Sequence, residues 1–378
     1  MNDDYQELEF ILSDTNDYYI LFECNEYNQS VVVIPDTYKG LPVKAIDAFC
    51  FSHNKIIEEV IVGNNIETIG DCAFIYCSNM KRITLPKKLK VIGNRAFECC
   101  KKLERLYITS NVEELGVCLF VECDELEEVI VDTKNQHFKS SEGAIYSKDG
   151  KVLIMYVNQD ADVYEIPDEV EIIKRNSLEM CEIEHLYIGK GLKYIEEGAL
   201  NGCSFLRWIS VSNENEHFIS VDGVLYSKDL KKLLKYPSLK NTVEYKLLKE
   251  TEVIGHSAFD NCLELEKVIV EDNVKVIERA AFNNCENLLE IKLSKNLEVI
   301  GVEAFKNCYE LNPITIPKSV KKIGDGAFLC VCGKTIIFEH DESFKKYLDE
   351  NCEGWDFNEE ITNPYVVNFK LIFNGKKV

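Results

Sequence analysis

Sixteen cysteines and six histidines are the residues of this chain best able to do chemistry. Thiolates and imidazoles bind zinc, exchange disulfides or serve as nucleophile and base, but each task needs a set spacing. That spacing is missing. The chain holds no Cys-x-x-Cys, and Cys330-x-Cys332 and Cys99-Cys100 fit neither a zinc nor a redox motif. His53, His137, His185, His217, His256 and His340 form no spaced metal pair. No glycine-rich phosphate loop or nucleophile elbow occurs. The expectation is a non-enzyme, with no catalytic residue, no metal and no cofactor.

The cysteines follow a different logic. Cys77, Cys100, Cys123, Cys181, Cys203, Cys262, Cys285 and Cys308 each stand three residues after a Phe or Leu. They belong to a repeat of about 23 residues, readable at Ile66, Ile69, Gly70, Ala73, Phe74, Cys77, Met80, Ile83 and Leu85. It returns at Val274, Ile277, Ala281, Phe282, Cys285, Leu288, Ile291 and Leu293. A fixed period in the twenties marks a solenoid, whose coils stack without enlarging a single core. A small apolar side chain with a weak S–H donor suits a tight inner turn. Stacked coils would set the sulfurs about 5 Å apart with parallel side chains, a geometry a disulfide tolerates poorly. A reduced, buried ladder is therefore predicted, as suits a reducing compartment.

Anchored on the Ala-Phe pair, the repeat gives ten coils, from Ala48-Phe49 to Ala327-Phe328. Most steps are 22 to 25 residues, but Phe120 to Leu178 is 58 and Leu200 to Phe259 is 59. Each long step reads as one coil plus an insertion, at about 132–165 and 212–246. The insertions are copies: His137-Phe138-Lys139-Ser140 and Gly143 to Asp149 reappear 80 residues on as His217-Phe218-Ile219-Ser220 and Gly223 to Asp229. Short apolar runs around Asp149-Gly150 read as β-hairpins. Both leave the coil at one phase, so they are expected along one edge, on the order of 10 Å apart. Between insertions, Leu103 to Ile108 alternates apolar and other residues, a half-buried strand. Glycines such as Gly70 and Gly301 mark a bend, and Ala-Phe-x-x-Cys is assigned to a short helical turn.

The fold expected is thus a mostly β solenoid over 46–340. Residues 1–45 are assigned to a hairpin cap made from Tyr18–Phe22 and Val31–Ile34. Residues 341–378 are assigned to a C-terminal cap, with helical spacing at Ser343 to Leu348 and Trp355 covering the last coil.

The string Ile-x-x-Ile-Gly-x-x-Ala-Phe-x-x-Cys-x-x-Leu-x-x-Ile-x-Leu-Pro resembles the BspA-like class of leucine-rich repeats. The lead-in Val33 to Val43 and the inserted Asp222-Gly223-Val224-Leu225-Tyr226-Ser227-Lys228 resemble segments of the same class. The resemblance runs over roughly residues 30 to 340. It implies a leucine-rich-repeat solenoid, and among its functions surface adhesion and host-protein binding; it implies no catalytic residue.

The formal net charge of −22 and pI near 4.8 leave no basic stripe for phosphate backbones or anionic membranes. Neither nucleic acid nor membrane is expected as a partner. No run approaches the roughly 18 apolar residues needed to span a bilayer. The start, Met-Asn-Asp-Asp-Tyr, lacks the basic and apolar regions of a signal peptide. A cytoplasmic protein is expected, or a secreted or cell-surface one if a leader has been removed.

Alternation turns one row of strand residues outward, including Tyr107, Ile130 and Tyr187, with Arg105, His185 and Trp208 in the flanking row. Tyr, Trp and Arg dominate interface hot spots. These six are the candidate contacts of a monomeric protein-binding module. Two alternatives stand beside it: the inserted hairpins cover some of these side chains, or a cleft between the hairpins houses a small-ligand site or an enzyme's active site.

Overall fold

The computed structural model describes residues 8–340 except 25, 159, 160, 312 and 332–334, and beyond them 344, 348, 370–373, 376 and 377. Trp355 and most of the 341–378 segment lie outside the described residues. The chain divides into two compact units, Met1–Ala161 with Glu169–Cys181, and Asp162–Asp168 with Glu182–Val378.

Each coil begins with a short strand whose branched residue points inward, such as Thr68–Ile69 or Val91–Ile92. These pair in parallel, so that Ile46, Ile69, Ile92 and Leu115 stack in register. A corner follows, and then an outer strand such as Arg82–Thr84, whose middle residue is buried between exposed neighbours. The glycine after the short strand is there for space. A Cβ on Gly70 would lie 2.6 Å from the Ala48 nitrogen, and one on Gly301 2.6 Å from the Arg279 nitrogen.

The corner is not the helical turn expected from Ala-Phe-x-x-Cys, and the described residues hold almost no helix. Two residues four apart adopt left-handed backbone in each corner: Cys72 and Tyr76, Arg95 and Cys99, Ala280 and Asn284, Glu303 and Asn307, all with φ between 52° and 61°. A left-handed residue every fourth position cannot propagate a right-handed helix. Backbone donors turn to the next coil instead. The Phe74 N–H donates to the Ala96 carbonyl at 2.9 Å, and Phe282 to Ala304 at 2.7 Å.

This stacking builds an aromatic ladder. Phe51, Phe74, Phe97 and Phe120 lie parallel with centroids 5.2, 5.9 and 6.1 Å apart. In the second unit Tyr236, Phe259, Phe282, Phe305 and Phe328 do the same. The first coil therefore keeps its phase through Cys50-Phe51, not Ala48-Phe49: Phe49 occupies the left-handed position and is exposed. Beside the rings run cysteines, and among the described residues no cysteine forms a disulfide. Within the ladder the Cys77 thiol donates to the Phe51 carbonyl, Cys100 to Phe74 and Cys285 to Phe259, each one coil back, at 3.0 to 3.2 Å. Burial pushes Cys77 up to about 12 and Cys100 well above the ordinary thiol value.

Ten coils is an undercount. Fourteen outer strands occur among the described residues, because Val31–Val33, Val163–Ile166, Glu244–Lys246 and Lys370–Phe373 join the ladder without an Ala-Phe corner. Each long step thus contains two coils and a hairpin. In the first unit Phe138–Ser141, Ala144–Ser147 and Val152–Tyr156 form an antiparallel meander, whose third strand then pairs in parallel with Ile172–Ile173. The second repeats this with Phe218–Val221, Val224–Ser227 and Lys232–Lys235, ending on Val253–Ile254. At the start of the chain, Tyr19–Phe22 and Val31–Val33 do not pair with each other. Tyr19–Phe22 pairs antiparallel with Glu9–Leu12 and parallel with Leu41–Ile46, while Val31–Val33 opens the outer ladder against Glu59–Ile61. Facing runs that look like a hairpin are the two sides of one coil.

Candidate binding face

In the first unit the outer strands present one outward row at successive coils. Val33 lies opposite Ile61, Ile61 opposite Thr84, and Tyr107 opposite Ile130. Four of these five are apolar and open: Val33 is 46%, Ile61 41%, Tyr107 49% and Ile130 38% exposed. Alternation forces this, since Val32, Val60, Ile83, Leu106 and Val129 between them fill the core. The flanking row is charged, with Arg105 opposite Glu128. Arg105 also meets Glu127, Nη2 to Oε2, at 2.9 Å. The Tyr107 hydroxyl donates to the Asp132 carboxylate, and this bond raises the phenol above its usual range. At the Ile130 end the hairpin bonds onto the strand, with Val131 N–H donating to Ser140 Oγ at 2.9 Å. Between them a hollow of about 410 Å³ is lined by Arg105, Glu128, Ser140 and Asn158.

In the second unit His185 lies opposite Trp208 and Tyr187 opposite Ser210, and His185, Tyr187 and Trp208 all face outward. Trp208 is not free, however. A Cβ on Gly223 would sit 2.6 Å from the indole Cδ2, and the Lys240 ammonium lies 4.8 Å from a ring centroid. The Ile209 N–H donates to the Gly223 carbonyl at 3.0 Å. The tip of the second hairpin thus seats against the indole, which stays 39% exposed. The six predicted contacts therefore fall into two sets, Arg105, Tyr107 and Ile130 in one unit and His185, Tyr187 and Trp208 in the other.

Val33 is the residue that the sequence reading missed. Its alternation in Val31-Val32-Val33-Ile34 was visible, but the run was assigned to the cap. The histidines are held by packing or ion pairing where they can be traced: His53 stacks on Tyr76 at 4.6 Å, and His256 Nδ1 lies 3.0 Å from Glu197 Oε1. Among the described residues no three His, Cys, Asp or Glu side chains are grouped to hold a metal. No helix of the described residues is long and apolar enough to cross a membrane.

Solved structures of bacterial leucine-rich repeat proteins share this fold. A leucine rich cell surface protein from Faecalibacterium prausnitzii superposes with a TM-score of 0.56 at 21% identity, over all of this chain and 95% of that one. A leucine-rich repeat protein from Eubacterium ventriosum gives 0.51 at 17% identity, over 85% of this chain and 92% of that one. At these identities the likeness is one of fold. No curated protein matches the chain. The model of the BspA type leucine rich repeat region, in six copies, matches residues 41–146, 159–251 and 252–354. With stacked coils, aromatic ladder and repeat motif all in agreement, the chain belongs to the BspA type leucine rich repeat family.

Proposed function

We infer that the chain is a non-enzymatic protein-binding module, and that its contact surface is the outward row of the first unit. The observation that supports this is the outward row Val33, Ile61, Thr84, Tyr107 and Ile130 on five successive outer strands, all exposed and all but Thr84 apolar, with Arg105 beside it. Contiguous apolar surface rimmed by charge is what a protein partner desolvates, and Tyr and Arg supply anchors. A rigid ladder also lowers the ordering cost of binding, since the strands fix the side chains in advance. The Faecalibacterium prausnitzii protein is described as a cell surface protein, and the same face would serve an adhesin. The free thiols suit a reducing compartment, so the cytoplasm is the setting proposed.

The test is capture of a partner from native lysate by the full chain and by an Ile61→Asp, Tyr107→Asp, Ile130→Asp variant, with circular dichroism to confirm folding. Loss of the captured protein by the folded variant is the result expected. Equal capture by both would place the contact surface elsewhere.

A further inference from the structure

The coil that carries each insertion lacks an Ala-Phe corner, so the corners before and after it face each other. In the first unit that gap is filled. The Cys118 thiol donates to the Glu179 carboxylate at 2.7 Å, and Asn176 Nδ2 lies 3.3 Å from the same sulfur. The second copy replaces Cys118 by Gly198, Asn176 by Ser257 and Glu179 by Asp260. Side-chain volume is lost, and a cavity of about 680 Å³ stands there, with Gly198, Lys235, His256 and Ser257 in its wall.

Into this cavity the second copy also brings charge. Val152-Leu153-Ile154-Met155 of the first meander becomes Lys232-Leu233-Leu234-Lys235 in the second. Lys235 is 2% exposed, and its ammonium makes one long hydrogen bond, 3.4 Å to the Ser257 carbonyl. Among the described residues no carboxylate lies within ion-pair distance of it. The carboxylates nearby are engaged. Glu278 holds the Lys232 ammonium at 2.7 and 2.8 Å and accepts the His256 N–H at 2.8 Å, while Glu197 meets His256 Nδ1. A buried ammonium with so little compensation is costly unless a counter-charge arrives.

We propose that this cavity is a binding site for a sugar acid, whose single carboxylate pairs with Lys235. The wall sets Glu196, Glu197 and Glu278 against Lys193, Lys232 and Arg279, which leaves Lys235 as one cation without a counter-charge and calls for one negative charge. The volume exceeds that of an inorganic ion, and the wall's mixed donors and acceptors suit hydroxyl groups. Tyr194, 57% exposed at this site, offers a flat ring to a sugar face.

The experiment is isothermal titration of the full chain with glucuronate and galacturonate, against neutral glucose and inorganic phosphate. One sugar acid is expected to bind at least about tenfold tighter than glucose or phosphate, the loss of one charge-assisted contact being worth that factor or more. Lys235→Met should abolish this binding while keeping thermal stability equal or higher, because Met fills the same position in the first copy. Absence of sugar-acid binding, preference for phosphate, or wild-type affinity in a folded Lys235→Met protein would each overturn the assignment.

Discussion

Gly223 lies with its bare α-carbon against the Trp208 indole, at a φ of +76°. The contact locks the tip of the second hairpin to the outer strand below it, and it sets two demands on one residue: left-handed backbone and no side chain.

Gly223→Ala should therefore destabilise more than Gly40→Ala. Gly40 is also left-handed, at φ +86°, but a Cβ there meets nothing within 4 Å. The control carries only the conformational cost, about 1 kcal/mol, and the clash adds to it at Gly223. Urea midpoints of the two variants measure the difference; equal losses would mean that the indole simply moves aside.

Relief of the corner strain should work in the other direction. Ala280 holds φ +52° with its N–H bonded to the Val302 carbonyl. Ala280→Gly keeps that bond and removes the Cβ penalty, for a net gain of about 0.5–1 kcal/mol after the entropy of the unfolded chain is counted. Thermal unfolding checks the sign.

Buried thiols make the fold sensitive to alkali. Cys77, Cys100, Cys262 and Cys285 are all held above their ordinary value near 9, chiefly by burial. The unfolded chain releases these protons near pH 9 while the folded chain keeps them, so stability is complete below pH 9 and falls as pH rises towards 12. Each such thiol contributes a slope of about 1.4 kcal/mol per pH unit in that range. Urea midpoints at pH 7.5, 9 and 10 read it out, and a midpoint unchanged at pH 10 would contradict it.

The outward row should be silent in stability. Ile61→Ser and Tyr107→Ser remove exposed side chains and are expected to shift unfolding by no more than about 0.5 kcal/mol, whereas Val60→Ser or Leu106→Ser, buried on the same strands, costs several times that. A Tyr107→Ser loss as large as that of Leu106→Ser would show that the row is packed against something.

The stack was legible in the sequence because Ile69, Phe74 and Cys77 recur at a fixed period, and the outward row because strands alternate. The corner conformation was not. It is imposed by backbone bonding between coils, and in the first unit its left-handed positions hold Cys72, Tyr76, Arg95 and Cys99, none of which advertises that backbone. Asn261, Asn284 and Asn307 in the second unit carried the signal. The four coils beyond ten were hidden because their corners lack Ala-Phe, and the seat of Trp208 because nothing local to an indole says what will lie on it. Lys235 was concealed inside an apolar run, where only comparison with Met155 of the other copy reveals it.

The bonds between corners have a consequence for how such a chain can change. Phe74 N–H to Ala96, and Phe282 to Ala304, tie positions 22 residues apart, so a one-residue slip anywhere between them would break every rung beyond it. Removal of a complete coil restores each rung to an equivalent neighbour. The corners therefore change by whole coils, and extra residues enter away from them, as at the two hairpins and between Val31–Val33 and Glu59–Ile61, whose paired residues lie 28 apart.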